Sequence, residues 1–89
     1  PMSFRIQIGD RTWRVHRKLC SQNYSQYGNV NPRKSTMFIG PDITGIELVE
    51  TALHEGLHAI NLGLSEEAVD VHARALTRLL RRLGCIKED

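Results

Sequence analysis

Residues 44–60, Thr44-Gly45-Ile46-Glu47-Leu48-Val49-Glu50-Thr51-Ala52-Leu53-His54-Glu55-Gly56-Leu57-His58-Ala59-Ile60, decide how the rest of the chain is read. Thr44 and Glu47 stand at the spacing of a capping box, in which each side chain satisfies a free backbone donor near the other. Ile46, Val49, Leu53, Leu57 and Ile60 then fall within about 80° on a wheel of 3.6 residues per turn, the signature of an amphipathic helix. Asn61 to Leu64 break the pattern, with Gly63 as the expected stop.

A second helix follows directly. Ser65 is its N-cap, and Glu66 and Glu67 sit where the helix dipole favours acids. Val69, Ala73, Leu76, Leu80 and Leu83 form its apolar stripe, Arg74, Arg78, Arg81 and Arg82 its other side, and Gly84 its end. Upstream, the pattern changes from helical to alternating. Phe4, Ile6 and Ile8 alternate with Ser3, Arg5 and Gln7, then Trp13 and Val15, with Leu19 as a possible third, alternate with Arg14, His16 and Lys18. Gly9-Asp10 lies between as turn chemistry, so the two runs predict an antiparallel hairpin. From Cys20 to Lys34 the chain is polar and predicts one long loop, the kind usually tied to function. Ser35 to Ile39 predicts a third strand, ended by Gly40-Pro41. The expected fold is therefore α+β, a short antiparallel three-stranded sheet packed on two helices, in a single domain over residues 1–89.

Composition bounds the rest. The 89 residues are 40% hydrophobic and 25% charged with a net charge of +2, ordinary for a globular domain and too apolar for disorder. A chain this size should have a radius of gyration of about 12 Å and has no room for a large enclosed active site. No apolar run approaches the ~20 residues a membrane span needs, so no membrane partner is expected. The N-terminal residues lack a secretory signal pattern, which predicts a cytoplasmic protein or a mature form without its signal. Cys20 and Cys85 form no C-x-x-C pair and are expected as reduced thiols. No nucleic-acid partner is expected either: the arginines of the last helix read as a solvated face, with no aromatic residues among them.

Within the first helix, His54-Glu55-Gly56-Leu57-His58 is an H-E-x-x-H sequence. Histidines at i and i+4 project from one face about one turn apart, so both imidazoles can reach one zinc ion at ~2.0–2.1 Å. Glu55 projects beside the metal rather than onto it, where it can take a proton from a water whose pKa zinc lowers. Gly56 costs helix propensity, ~1 kcal/mol against Ala, and suggests that something approaches the backbone there.

Here the chain resembles the zincin metallopeptidases, and among them the minimal gluzincin-like domains of phage and prophage type. The resemblance rests on Leu53-His54-Glu55-Gly56-Leu57-His58-Ala59 and on the helix beginning Leu64-Ser65-Glu66-Glu67-Ala68-Val69. Tyr27-Gly28, Asn31-Pro32-Arg33-Lys34 and the strand Thr36 to Ile39 add weaker support. It implies zinc as cofactor and a third ligand from the second helix, in a Glu-x-x-Ala pattern that Asp70-Val71-His72-Ala73 matches with Asp in place of Glu. Asp70 is thus the implied ligand, with Glu66 and His72 as rivals. His72 falls on the apolar face, where a core histidine is the alternative. The resemblance also implies that a peptide or protein substrate binds by strand addition along an edge strand near Thr36–Ile39. Zincins often use a Tyr, His or Arg to steady the oxyanion, a part that a loop tyrosine, Tyr24 or Tyr27, could take here; the alternative for both is a half-buried anchor of the long loop. The implied activity is peptide-bond hydrolysis by a metal-activated water, with Glu55 as general base and His54, His58 and Asp70 on zinc. The alternative is a binding or regulatory module that keeps zinc for stability.

Overall fold

Alternating side chains build the first two strands as the sequence predicts. In the computed structural model, which describes residues 3–18 and 27–87, β1 (Ser3–Ile8) and β2 (Arg11–His16) form an antiparallel hairpin. Ile8 stands opposite Arg11 across Gly9-Asp10, and Gly9 takes a φ of +67°, an angle that a β-carbon disfavours. Leu19, Cys20 and Tyr24, all named in the sequence analysis, lie outside the described residues.

The polar stretch read as one loop contains a strand. β3 (Gly28–Asn31) pairs antiparallel with β4 (Thr36–Ile39), with Val30 opposite Met37. The turn between them is held locally: Lys34 N–H donates to Asn31 Oδ1 at 3.3 Å, and Ser35 N–H to the Pro32 carbonyl at 3.3 Å. β3 has one apolar side chain among glycine and asparagines, residues depleted in strands, so its own alternation is illegible. The Asn-Pro pair that opens the turn is the signal that marks it.

Among the described residues the sheet is therefore four-stranded and mixed, in the order β1-β2-β4-β3, with β2 and β4 parallel. This corrects the expectation of three antiparallel strands and has a consequence for the substrate edge. Thr36, Met37 and Phe38 are paired on both sides and Ile39 with β3, so β4 is an interior strand and not an edge open to strand addition. Among the described strands the outer ones are β1 and β3.

Two helices complete the fold, α1 (Gly45–Ile60) and α2 (Glu66–Arg82). Trp13, Val15, Met37 and Ile39 of the sheet pack with Ile43 and Ala59 in the main core. Thr51, Glu55 and Ala59, at i, i+4 and i+8, are the buried face of α1. The stripe predicted from Ile46, Val49, Leu53, Leu57 and Ile60 lies on the other side of the helix and is half-buried, with Ile60 exposed. The reason is layering. Among the described elements α2 touches α1 and no strand, so α1 is a middle layer and its most apolar stripe is not its sheet side.

Local signals at the helix ends fare unequally. Ser65 Oγ accepts from the Ala68 N–H at 3.1 Å, as a cap should. Thr44 occupies the N-cap position without a side-chain cap bond, and Gly45 beside it has a φ of +59°. At the far end, Cys85 N–H reaches the Leu80 carbonyl and Gly84 N–H the Arg81 carbonyl, a Schellman closure around the left-handed Gly84. α2 buries Val69, Ala73 and Thr77 rather than its leucines, and Leu76, Leu79 and Leu83 are exposed. Cys85 is an exposed free thiol. The radius of gyration is 12.7 Å, and no described helix is long and apolar enough to cross a membrane.

Two glycines give opposite expectations. A β-carbon on Gly28 would lie 2.6 Å from the Phe38 carbonyl oxygen and 3.3 Å from Glu55 Cγ and Thr51 Cγ2. Nothing lies within 4 Å of one on Gly56, so no part of the described chain approaches it. Gly28→Ala should lower stability by about 1–3 kcal/mol through overpacking, while Gly56→Ala should raise it by up to ~1 kcal/mol through helix propensity. Thermal unfolding of the two variants checks this, at roughly 4–8 °C per kcal/mol.

Candidate metal centre

Helix periodicity places His54 and His58 one turn apart on α1, half-buried, with ring centroids 5.0 Å apart and planes at 66°. The Ser65 cap starts α2 so that its first residue, Glu66, meets them. Glu66 Oε1 lies 2.6 Å from His54 Nε2, and Oε2 lies 3.2 Å from His58 Nε2. One carboxylate thus spans both rings.

Asp70 sits one turn further along α2. Its Oδ1 is 4.0 Å from Nδ1 of His54, and its Oδ2 is 3.0 Å from Arg74 Nη2. The structure therefore brings Glu66, not Asp70, to the two histidines together. The extra methylene and the position at the helix start account for the difference in reach. His72 is exposed, with Nδ1 against the Ala68 carbonyl of its own helix, so it is neither a core histidine nor part of the cluster.

The ligand atoms of His54, His58 and Glu66 all lie within 4.8 Å of one another. Tetrahedral zinc at 2.0–2.2 Å would hold its ligand atoms about 3.3 Å apart, a spacing that small side-chain rotations reach from here. Two imidazoles and a carboxylate form a donor set suited to a first-row divalent ion, so the residues fit a metal.

A groove of about 380 Å³ opens beside the cluster, lined by His54, Glu66 and Asp70 together with Tyr27, Glu47, Glu50, Thr51 and Glu55. Glu55 is 6% exposed, and its Cγ is one of the atoms that a β-carbon on Gly28 would meet. Burial pushes its carboxyl from 4.5 up to about 7, with His54 opposing the shift and Glu66 adding to it. For Glu66, partial burial pulls upward, but hydrogen bonds from His54 and His58 and their charges outweigh it and hold the carboxyl below its ordinary value. Tyr27 lines the groove and is exposed rather than half-buried. Glu47, Glu50 and Thr51 were not singled out. Their signal was present: Glu47, Glu50, His54 and His58 follow one another at three- and four-residue steps, so they share one side of α1.

Comparison of the chain with protein-family models, with curated proteins and with solved structures finds no match.

The Glu55 shift makes stability depend on pH in the metal-free protein. Below about pH 4.5 the carboxyl is protonated in both states and carries no penalty. As pH rises from 4.5 to 7 the unfolded chain ionises while the folded one keeps its proton, so stability falls and the loss is complete above pH 7. Glu55→Gln removes this term. It should raise metal-free stability by ~2–3 kcal/mol at pH 8 and by much less at pH 5. Melting curves at the two pH values read it, and an equal difference at both would contradict the assignment.

Proposed function

We propose that the chain is a zinc-dependent metallopeptidase. The observation that carries this reading is the meeting of the H-E-x-x-H turn of α1 with Glu66 of α2, while the intervening Glu55 is buried at the same groove. His54, His58 and Glu66 would hold the ion and leave its remaining side towards the groove. Zinc there would polarise a scissile carbonyl and make a water more acidic.

The chain's own residues supply the rest. Glu55 would accept the proton of the attacking water and deliver it to the leaving amine. A stabilising site has no need of such a carboxyl beside the metal. Since β4 is an interior strand, an extended peptide would pair with β3, whose Gly28 end packs against Glu55 and Thr51. A shallow groove implies modest selectivity, set by the strand edge.

Cleavage of an unstructured peptide mixture by the zinc-loaded chain tests the reading. Glu55→Gln should bind zinc as the parent does and lose about 10²-fold or more in rate. Zinc binding without any cleavage by the parent would favour the alternative, a binding module with a stabilising metal. For the ligand set, Glu66→Ala should weaken zinc by well over tenfold and Asp70→Ala by much less. The reverse order would return the third ligand to Asp70.

A further inference from the structure

The sheet has a second face, turned away from α1. Trp13, Val15, Met37 and Ile39 face the helices, so their alternates face outward. Strand register sets these alternates in two rows across the sheet. Ser3, His16, Phe38 and Asn29 form one, and Arg5, Arg14, Thr36 and Asn31 the next. No described helix covers them, since α2 touches α1 alone.

This face has features that solubility does not require. Arg5 and Arg14 stand directly opposite each other, a like-charge cross-strand pair that weakens the sheet. Among the described residues no acid pairs with Arg5, Arg14 or Lys18. Charge is also segregated along the chain. Residues 1–40 hold seven Lys and Arg against one acid, Asp10, and residues 41–89 hold five against nine, so a net charge of +6 faces one of −4. Arg11 and Arg17 are engaged with backbone carbonyls, whereas Arg5 and Arg14 project into solvent. Between the cations lies an aromatic platform. The rings of His16 and Phe38 are stacked at 5.3 Å and 25°, and Lys18 Nζ lies 6.0 Å from the Phe38 centroid.

We infer that this sheet face binds single-stranded nucleic acid, with bases stacking on Phe38 and His16 and phosphates pairing with Arg5, Arg14 and Lys18. Cations alone would suit any polyanion. Flat rings set among them suit an unpaired base followed by its phosphate. A duplex hides its bases from such a platform, and a flat sheet offers no element to enter a groove. The arginines of α2 lack interleaved aromatics; only the pairing of β2 with β4 brings Phe38 among basic residues. The inference is independent of the metal reading, because the two sites lie on opposite sides of the sheet.

Fluorescence anisotropy of a fluorescein-labelled 12-mer of thymidine, titrated with the 89-residue chain, tests it. The 12-mer should bind roughly tenfold more tightly than a 12-base-pair duplex, and its affinity should fall with salt at a log–log slope of about −2, as three phosphate contacts give for a single strand. Phe38→Leu, which keeps an apolar side chain in the sheet, should cost roughly tenfold. Arg5→Gln should reduce the slope by about 0.7. Zinc removal and Glu55→Gln should leave binding unchanged, so this result and the peptidase result fail separately. Absence of binding at 50 mM salt would overturn the inference. So would duplex or heparin binding as tight as the 12-mer, or 12-mer binding that Phe38→Leu leaves intact.

Discussion

The carboxylate of Glu66, set between the imidazoles of His54 and His58, is the point at which one ion could tie the two helices together. Among the described helices and strands, α2 meets only α1. The interface it makes there is thin. Val69 and Ala73 are fully buried and Thr77 nearly so, while Leu76, Leu79 and Leu83 remain exposed. Burying one valine and one alanine contributes only a few kcal/mol at most. The bonds to Glu66 add little by themselves, because its side chain is 73% exposed and solvent screens it. An ion shared by the three residues would join both helices where packing is sparse, and its binding energy would count directly towards folding.

The same thinness shapes the groove. Small residues at Ala73 and Thr77 allow α2 to lie close to α1, which brings Glu66 within reach of both rings. Glu55 lines the inner wall of the same groove and packs against the Gly28 end of β3, where burial works against its charge. Two neighbouring residues on one helix thus meet different parts of one groove: His54 a carboxylate at its rim, Glu55 the edge of the core. Alternation does the equivalent on the sheet, with Trp13 and Val15 inward and Arg14 and His16 outward.

Much of this was legible in the sequence. The hairpin, the strand at Thr36–Ile39, both helices and the H-E-x-x-H turn follow from periodicity and spacing, which are local. The misses come from contacts between distant segments. β3 is held by its pairing with Met37 and its neighbours, not by its own composition, and its presence turned the supposed edge strand into an interior one. The predicted stripe of α1 failed to identify the sheet side because a middle-layer helix is covered on two sides. Asp70 was favoured from a Glu-x-x-Ala pattern, whereas the reach of Glu66 depends on how α2 docks, which no local pattern encodes. Thr44 and Glu47 have capping-box spacing, but the left-handed Gly45 between them accompanies an N-cap without its side-chain bond.

The proposed metal centre of His54, His58 and Glu66 can be tested on the ion itself. X-ray absorption at the zinc edge, on the chain loaded with one equivalent of zinc, addresses it without reference to any activity. The account predicts a first shell of two imidazole nitrogens and carboxylate oxygen at about 2.0–2.2 Å, with the imidazole signal lost in a His54→Ala, His58→Ala double variant. A shell with sulfur at ~2.3 Å, or one without imidazole, would contradict it.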